Sequence, residues 1–366
     1  MRDDQFYMPA RVFGGDDIVR RHAADLKKLG HKALIVTGRH SAVKCGVYED
    51  ICAALDSTGT EHCWFNEVEE NPSVGTIMKA RDFGIAEGAD FVIGAGGGSP
   101  MDAAKAIALM IRHADQGADY LYTSGADSSV IPVVCIPTTC GTGSEVTAVS
   151  VLSNEKLQTK KSIPHKIFPD LSLVDGKYLL GADRKILCNT GFDALAHLYE
   201  SWLNSSAVPM SRLIAEAGMR EWKESLPVLK GEKELSAEDA EHMMRAAMLG
   251  GMAIAHTGTS IPHGLSYALT YHLQVPHGKA VCRFMPGYLR AAEPADAARI
   301  LQLAGFRDAD EFERVYQEAC GPLDADAEAL TAVLERAVDE LSSDPAKCAK
   351  APFAVDREVL HRIVFG

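Results

Sequence analysis

Four side chains in the second half of the chain have the types and spacing of a transition-metal site. Asp193 and His197 are four residues apart, and on a helix this spacing places a carboxylate and an imidazole on one face. His263 directly follows a proline that suits a first helical turn, and Pro276, just before His277, is expected to end that helix. One carboxylate and three imidazoles suit a divalent iron, zinc or nickel ion that can act as a Lewis acid. Each histidine alone is more often a surface or satisfied core residue, so the prediction depends on the two pairs converging.

Two glycine-rich segments in the first half have the composition of phosphate-binding loops. The first reads GGGSP, and its Ser99 and Pro100 are predicted to be the N-cap and first residue of a helix. The second reads PTTCGTGSE from Pro137, and its Thr142 and Glu145 also fit a capping box. Glycines let the backbone approach a ligand, and a helix N-terminus favours a pyrophosphate. GGGS is not the GxGxxG fingerprint, so a tight turn without a ligand stays an alternative for the first loop.

The elements that must position these residues follow two patterns. Up to about residue 180, apolar runs alternate with helix-period segments, which predicts a parallel sheet covered by helices. The runs are ALIVT (33–37), FVIG (91–94), VVCI (133–136) and LSLV (171–174), and the helical segments are 16–29, 42–55, 74–87 and 101–112. The two loops would then share the carboxyl edge of the sheet, where open α/β sheets bind nucleotides.

Beyond about Gly181 the composition changes to long segments rich in Ala, Leu, Met and Glu, with no strong β run. These segments are 192–204, 208–222, 236–256, 308–319 and 324–342. The sequence therefore predicts an α/β dinucleotide-binding domain over 1–180 and an all-α metal- and substrate-binding domain over 181–366.

Composition excludes several classes of protein. Lys and Arg number 37 against 50 Asp and Glu, a net charge of −13 among 366 residues, so binding to a nucleic-acid backbone is not expected. The apolar runs fall short of the ~20 residues of a membrane helix, and the first residues lack the apolar core of a secretory signal. Nine cysteines without CxxC spacing indicate reduced thiols, so a cytoplasmic location is expected.

Four motifs in order resemble the iron-containing (group III) alcohol dehydrogenase family. They are GGGSPMDAAK, PTTCGTGSE, TGFDALAH and the paired PHG at His263 and His277. The resemblance implies an active site in the cleft between the two domains, Fe²⁺ or sometimes Zn²⁺ as the metal, and a homodimer or higher homo-oligomer. The implied metal ligands are Asp193, His197, His263 and His277. The implied cofactor site comprises Gly97, Gly98, Ser99, Asp102, Thr138, Thr139 and Thr142, together with Asn71 and Lys160 (or Lys161).

Two positions depart from the family pattern. Many relatives keep a histidine four residues after the third ligand to handle the proton, whereas this chain has Tyr267. Tyr267 and His272 are therefore the candidates for proton relay, and a packed ring in the cleft wall is the alternative for Tyr267. NAD-preferring relatives tend to have an acidic residue where this chain has Gly38, so Gly38 with Arg39, beside Ser41, favours NADP(H) over NAD(H). From the residues alone, an ordinary polar turn fits equally well.

The implied reaction is hydride transfer between a nicotinamide and a small primary alcohol or aldehyde. A second possibility is a lyase or cyclase like dehydroquinate synthase, which also uses NAD and a metal. A third, non-enzymatic possibility is a nucleotide- or metal-sensing protein. Turnover of an aldehyde with net consumption of reduced nicotinamide separates the first from the other two.

Overall fold

The computed structural model describes residues 5–154 and 159–366, which divide into two compact units. The sheet unit comprises Met8–Thr139 and Gly143–Ala182, and the helical unit comprises residues 5–7, Cys140–Thr142 and Asp183–Gly366. Across the described ranges, no helix has the length and apolar character needed to cross a membrane.

Eight strands lie in the described part of the sheet unit. They are β1 (Arg11–Gly14), β2 (Lys32–Thr37), β3 (Glu61–Phe65), β4 (Phe91–Gly96), β5 (Val133–Pro137), β6 (Val151–Asn154), β7 (Thr159–Ser162) and β8 (Leu171–Val174). Six form a parallel sheet in the order β1-β8-β5-β4-β2-β3, and β6 and β7 form a separate antiparallel pair. Strands β4, β5 and β8 are buried along their whole length, as expected for parallel strands covered on both faces.

Six α-helices accompany these strands among the residues described there: α1 (Ile18–Arg21), α2 (Ala23–Lys27), α3 (Ser41–Lys44), α4 (Val47–Ser57), α5 (Val74–Glu87) and α6 (Gly98–Arg112). Alternate side chains of β2 enter two different apolar clusters. Leu34 packs in the cluster that contains Ile107 of α6, and Ile35 packs in the cluster that contains Ile51 of α4. This alternation is the period of a strand, and it gives the sheet a core on each face.

The helical unit contains twelve helices within its described residues. They are α7 (Arg184–Leu203), α8 (Pro209–Glu224), α9 (Leu226–Lys230), α10 (Ala237–Thr257), α11 (Ile261–His272), α12 (His277–Cys282), α13 (Met285–Ala291), α14 (Pro294–Leu303), α15 (Ala309–Cys320), α16 (Ala327–Ser342), α17 (Pro345–Cys348) and α18 (Arg357–Phe365). None of the described residues from 183 to 366 lies in a strand. The predicted fold class, a parallel α/β half followed by a helical half, is confirmed.

Several local predictions are wrong. The predicted helix 16–29 is two short helices, and the predicted helix 42–55 is divided at Gly46, whose φ of 83° ends one helix before the next begins. Strands β1 and β3 lack a continuous apolar run, because both are edge strands with partly exposed, mixed sequences. Neither these strands nor the β6–β7 hairpin was predicted.

Both predicted helix caps in the loops are also wrong. Helix α6 begins two residues earlier than expected, so Gly97 is its N-cap and Ser99 lies within its first turn. Thr142 and Glu145 do not form a capping box. Gly143, with a φ of 60°, instead precedes a single 3₁₀ turn over Ser144–Val146 that no side chain caps.

Candidate metal centre and cofactor loops

Helix α7 presents three ionisable side chains on one face. Its N-terminus is fixed by Asp183, whose carboxylate accepts the Lys185 N–H. Asp193, His197 and Glu200 follow at positions i, i+4 and i+7, and all three are at least 95% buried. A helix brings that spacing onto one stripe, so a carboxylate, an imidazole and a second carboxylate line one buried surface of the helical unit.

Two further helices bring imidazoles to Asp193. His263 lies in the first turn of α11, and His277 is the first residue of α12. The potential ligand atoms of these three residues all lie within 4.8 Å of one another, and His263 Nε2 is 3.6 Å from Asp193 Oδ1. Helix α12 can approach α7 this closely only because residue 278 is glycine, since a Cβ there would lie 2.7 Å from the Asp193 Cβ.

His197 lies directly beside this cluster. Its ring stacks on that of His263 with the centroids 4.5 Å apart, and its Nδ1–H donates to the Gly141 carbonyl at 3.3 Å. Burial lowers the pKa of His197 to about 4 despite the nearby Asp193, so the ring is neutral and its Nε2 carries the lone pair. Thr142, the residue after Gly141, is half-buried.

The cluster fits a divalent transition metal. Asp193 Oδ1 and His263 Nε2 are buried, and neither has a hydrogen-bond partner among the described residues. Such atoms are costly to bury unless something binds them. Burial opposes the negative charge of Asp193, but the surrounding imidazoles outweigh it and lower its pKa. A carboxylate beside imidazole nitrogens is a donor set for iron or zinc.

Glu200 was missed by the sequence reasoning, although its spacing of three residues from His197 on the same helix was a usable signal. Its Oε1 accepts the His263 Nδ1–H at 2.6 Å and the His263 backbone N–H at 3.1 Å. Burial disfavours a charged His263, but Glu200 and Asp193 outweigh it and raise the pKa of His263 to about 9. Glu200 therefore controls the orientation of one of the proposed ligands.

The structure brings only one of the two relay candidates to the cluster. The Tyr267 ring lies parallel to that of His277, with centroids 6.3 Å apart, and burial raises its pKa to about 12. His272 is exposed at the last position of α11. Nine residues at 1.5 Å each place it roughly 13 Å along the helix from His263.

The first glycine-rich loop and the start of the second lie side by side in the sheet unit, at the carboxyl ends of β4 and β5. The Thr138 N–H donates to the Gly96 carbonyl at 2.8 Å, and a Cβ on Gly97 would lie 3.3 Å from Thr139 Oγ1. Gly98, the residue after Gly97, begins α6. The shared sheet edge therefore concentrates backbone N–H groups and hydroxyls, as a pyrophosphate site requires.

Asn71 binds the first loop directly, and Lys160 is connected to Asn71 through Ser153. Asn71 has a φ of 60°, and its N–H donates to Ser99 Oγ at 3.1 Å. The Ser153 hydroxyl donates to the Asn71 carbonyl at 2.7 Å, and Ser153 pairs with Lys160 in the β6–β7 register. Lys161, the alternative to Lys160, is exposed.

Asp102 connects α6 to the second loop through its carboxylate. One oxygen accepts the Ser144 hydroxyl at 2.5 Å, and the other accepts the Val151 N–H at 2.8 Å. Lys105, one turn further along α6, is completely buried and donates to the Ser144 carbonyl and hydroxyl and to the Val149 carbonyl, at 2.7 to 2.9 Å. Both Asp102 oxygens are thus bound by protein groups, so Asp102 positions the loop.

At the end of β2, Gly38 is followed by Arg39 and His40. A Cβ on Gly38 would meet the Val68 carbonyl at 3.5 Å and Ser41 Oγ at 3.6 Å, which are ordinary contacts. Arg39 and His40 are both exposed. Neither forms an ion pair with any residue in the ranges described above. The turn therefore presents positive charge to solvent in a protein whose net charge is negative.

Comparison with known proteins assigns both halves of the chain. The family model for iron-containing alcohol dehydrogenase matches residues 9–176, and the model for the C-terminal part of the Fe-containing alcohol dehydrogenase family matches residues 187–343. The two matches together span most of the sequence, and they meet near the change from strands to helices.

Individual relatives agree with the family models. The chain is 32% identical to long-chain-alcohol dehydrogenase 1 of Geobacillus thermodenitrificans, over 77% of this chain and 72% of that protein. It is 30% identical to sulfoacetaldehyde reductase of Bilophila wadsworthia, over 81% and 78%. An iron-containing alcohol dehydrogenase of Thermotoga maritima has the same fold, with a TM-score of 0.88, 33% identity and 98% coverage of both chains.

Proposed function

This chain belongs to the iron-containing alcohol dehydrogenase family and is an NAD(P)-linked oxidoreductase of alcohols and aldehydes. We propose that its chemistry takes place at the Asp193–His263–His277 cluster. The observation that supports this site is the set of buried ligand atoms within 4.8 Å of one another. The lyase alternative and the sensor alternative have no comparable support.

We propose that Asp193, His197, His263 and His277 hold the metal. A divalent ion bound there supplies a Lewis acid that polarises the substrate oxygen. Gly141 fixes the His197 ring so that its Nε2 is the free nitrogen. These residues bind and orient the metal, and they limit the access of water because Asp193, His197 and His263 are at least 95% buried.

We propose that the cofactor lies on the two loops of the sheet edge. Gly97, Gly98 and Ser99 contribute the close approach and helix N-terminus for the pyrophosphate, and Thr138 and Thr139 contribute hydroxyls beside it. Thr142, Asn71 and Lys160 complete the proposed site, and Asp102 acts through Ser144. The nicotinamide carries the hydride, so the protein's part is to position it.

For the proton, we propose Tyr267 rather than His272, because only Tyr267 lies beside the cluster. A pKa of about 12 keeps the phenol protonated at neutral pH, so it can donate a hydrogen bond to a reacting oxygen. Tyr267→Phe tests this role. A fall of tenfold or more in kcat supports the relay, whereas an unchanged kcat assigns the ring to packing.

For the nucleotide, we propose a preference for NADP(H). Gly38 offers no carboxylate to the ribose 2′-hydroxyl, and the exposed Arg39 and His40 suit a 2′-phosphate. Relatives of this chain carry names that specify NAD or NADPH, so the family alone does not decide the matter. Comparing kcat/KM for NADPH and NADH is the direct test. A tenfold preference for NADH, about 1.4 kcal/mol, would reverse the proposal.

The decisive experiment for the site is metal removal and reloading. Chelation should abolish the oxidation of NADPH by a panel of short aldehydes, some with anionic tails, and Fe²⁺ or Zn²⁺ should restore it. Asp193→Ala should be inactive under all conditions. Full activity in a sample shown to contain no metal would refute the proposal.

We also propose a reducing compartment, the cytoplasm, and a homodimeric assembly. All nine cysteines fall within the described residues and none is in a disulfide, which supports the first. Family resemblance is the support for the second, and light scattering coupled to size exclusion would measure it.

A further inference from the structure

The helix that carries His263 begins without a cap of its own. Ser260 occupies the N-cap position of α11, but its side chain makes no capping hydrogen bond. The first N–H groups of a helix have no partner within it, and here they are buried. Their partner comes instead from α7. The Glu200 carboxylate accepts the Ser260 N–H through Oε2 and the His263 N–H through Oε1, the latter at 3.1 Å.

The same carboxylate also binds the His263 ring. Oε1 accepts the Nδ1–H at 2.6 Å, which holds a proton on Nδ1 and makes Nε2 the nitrogen that would lose its proton to bind a metal ion. That Nε2 lies 3.6 Å from Asp193 Oδ1, on the side of the ring where the other ligand atoms converge. One carboxylate thus sets the start of the helix, the rotation of the ring and the tautomer of the imidazole.

Glu200 is fully buried, so its charge must be compensated. Three N–H donors face it, and Lys347 of α17 adds positive charge nearby, with its Nζ held by Thr259 Oγ1 at 2.6 Å. Replacing the carboxylate by any neutral group therefore disturbs several contacts at once. A test must separate a structural loss from a loss of ligand orientation.

We propose that Glu200 is a positioning residue for the metal, holding His263 in the Nδ1–H tautomer with Nε2 directed at the ion. The inference rests on the proposed metal site. Hydrogen-bond partners of metal-binding histidines typically change metal affinity by about 10- to 100-fold when removed. Glu200 acts through His263 and makes no contact with substrate or cofactor in this proposal.

The first test is Glu200→Gln, compared with Asp239→Asn as a matched control. Asp239 is also a buried carboxylate in the helical unit, and it caps α10 by accepting the Ser236 N–H and hydroxyl. Zn²⁺ affinity is measured by chelator competition, the Co²⁺ spectrum reports ligand geometry, and thermal unfolding without metal reports stability. We expect Glu200→Gln to lose 10- to 100-fold in Zn²⁺ affinity and to change the Co²⁺ spectrum. Asp239→Asn should lose stability but stay within threefold of wild type in affinity.

Wild-type affinity and an unchanged Co²⁺ spectrum in Glu200→Gln, with reduced stability, would make Glu200 a helix cap only and overturn the inference. If Glu200→Gln does not fold, nitrogen NMR of the Zn²⁺-loaded wild type decides instead. A protonated Nδ1 on His263 supports the inference, and a protonated Nε2 refutes it. Failure of the wild-type protein itself to bind Zn²⁺ would refute the proposed metal site, a result distinguishable from either of these.

Discussion

Lys105 offers a sharp test of how the two cofactor loops are held. It is completely buried in α6, donates three hydrogen bonds and lies 3.8 Å from the Asp102 carboxylate. Lys105→Met keeps most of the side-chain length but removes the charge and every donor. The Asp102 carboxylate, whose side chain is only 14% exposed, then loses its cation, and the carbonyls of Ser144 and Val149 lose a donor.

Breaking a buried ion pair by removing one partner costs roughly 3–5 kcal/mol, and each carbonyl left unsatisfied costs about 1–3 kcal/mol. Because the costs overlap, we expect Lys105→Met to lower the free energy of unfolding by roughly 3–5 kcal/mol. Adding Asp102→Asn removes the unpaired charge and should recover at least ~2 kcal/mol, since replacing both members of a buried pair is often nearly neutral. The KM for NADPH should rise in Lys105→Met because Ser144 loses both hydrogen bonds from Lys105.

Urea unfolding at 25 °C of the wild type, both single variants and the double variant forms a double-mutant cycle. Lys79→Met is the control, because Lys79 and Glu67 form an exposed ion pair at 2.6 Å that should contribute no more than ~1 kcal/mol. A loss below ~1 kcal/mol for Lys105→Met, or strictly additive effects of the two single variants, would refute this account of the buried pair.

Three further predictions concern other parts of the molecule. Gly278→Ala should reduce Zn²⁺ affinity at least tenfold by chelator competition, because the new Cβ would collide with the Asn189 carbonyl and displace His277. The control Gly117→Ala, where a Cβ meets open space, should keep wild-type affinity. Wild-type affinity in Gly278→Ala would contradict the close packing of α12 on α7. Burial raises the pKa of Glu145 from 4.5 to about 7. Between these pH values the native state keeps a proton that the unfolded state has released. The free energy of unfolding should therefore fall as pH rises through this window, by about 3 kcal/mol in total. Glu145→Gln should remove this part of the slope in unfolding experiments from pH 5 to 8, and identical slopes would argue against it. Gly38→Asp should lower kcat/KM for NADPH at least tenfold relative to NADH, and an unchanged ratio would show that the turn does not contact the ribose.

The central strands could be predicted because almost every one of their residues is buried and therefore apolar. Strands β2, β4, β5 and β8 are covered on both faces, which demands runs of Val, Ile and Leu that no exposed segment would carry. Strands β1 and β3 lie at the edges and mix polar with apolar residues, so no pattern distinguished them. The Gly46 break was likewise hidden, because the helical period continues across it.

The sequence by itself determined the donor types of the proposed metal site, the i, i+4 spacing of Asp193 and His197 on α7, and the positions of the two glycine-rich loops. These features depend only on neighbouring residues and on the geometry of one helix or one strand end. Only the tertiary structure decided that Asp193, His263 and His277 meet, and that Glu200 binds the His263 ring. Those contacts join residues sixty or more positions apart. They arise from the packing of α7, α11 and α12 against one another, which no local pattern encodes.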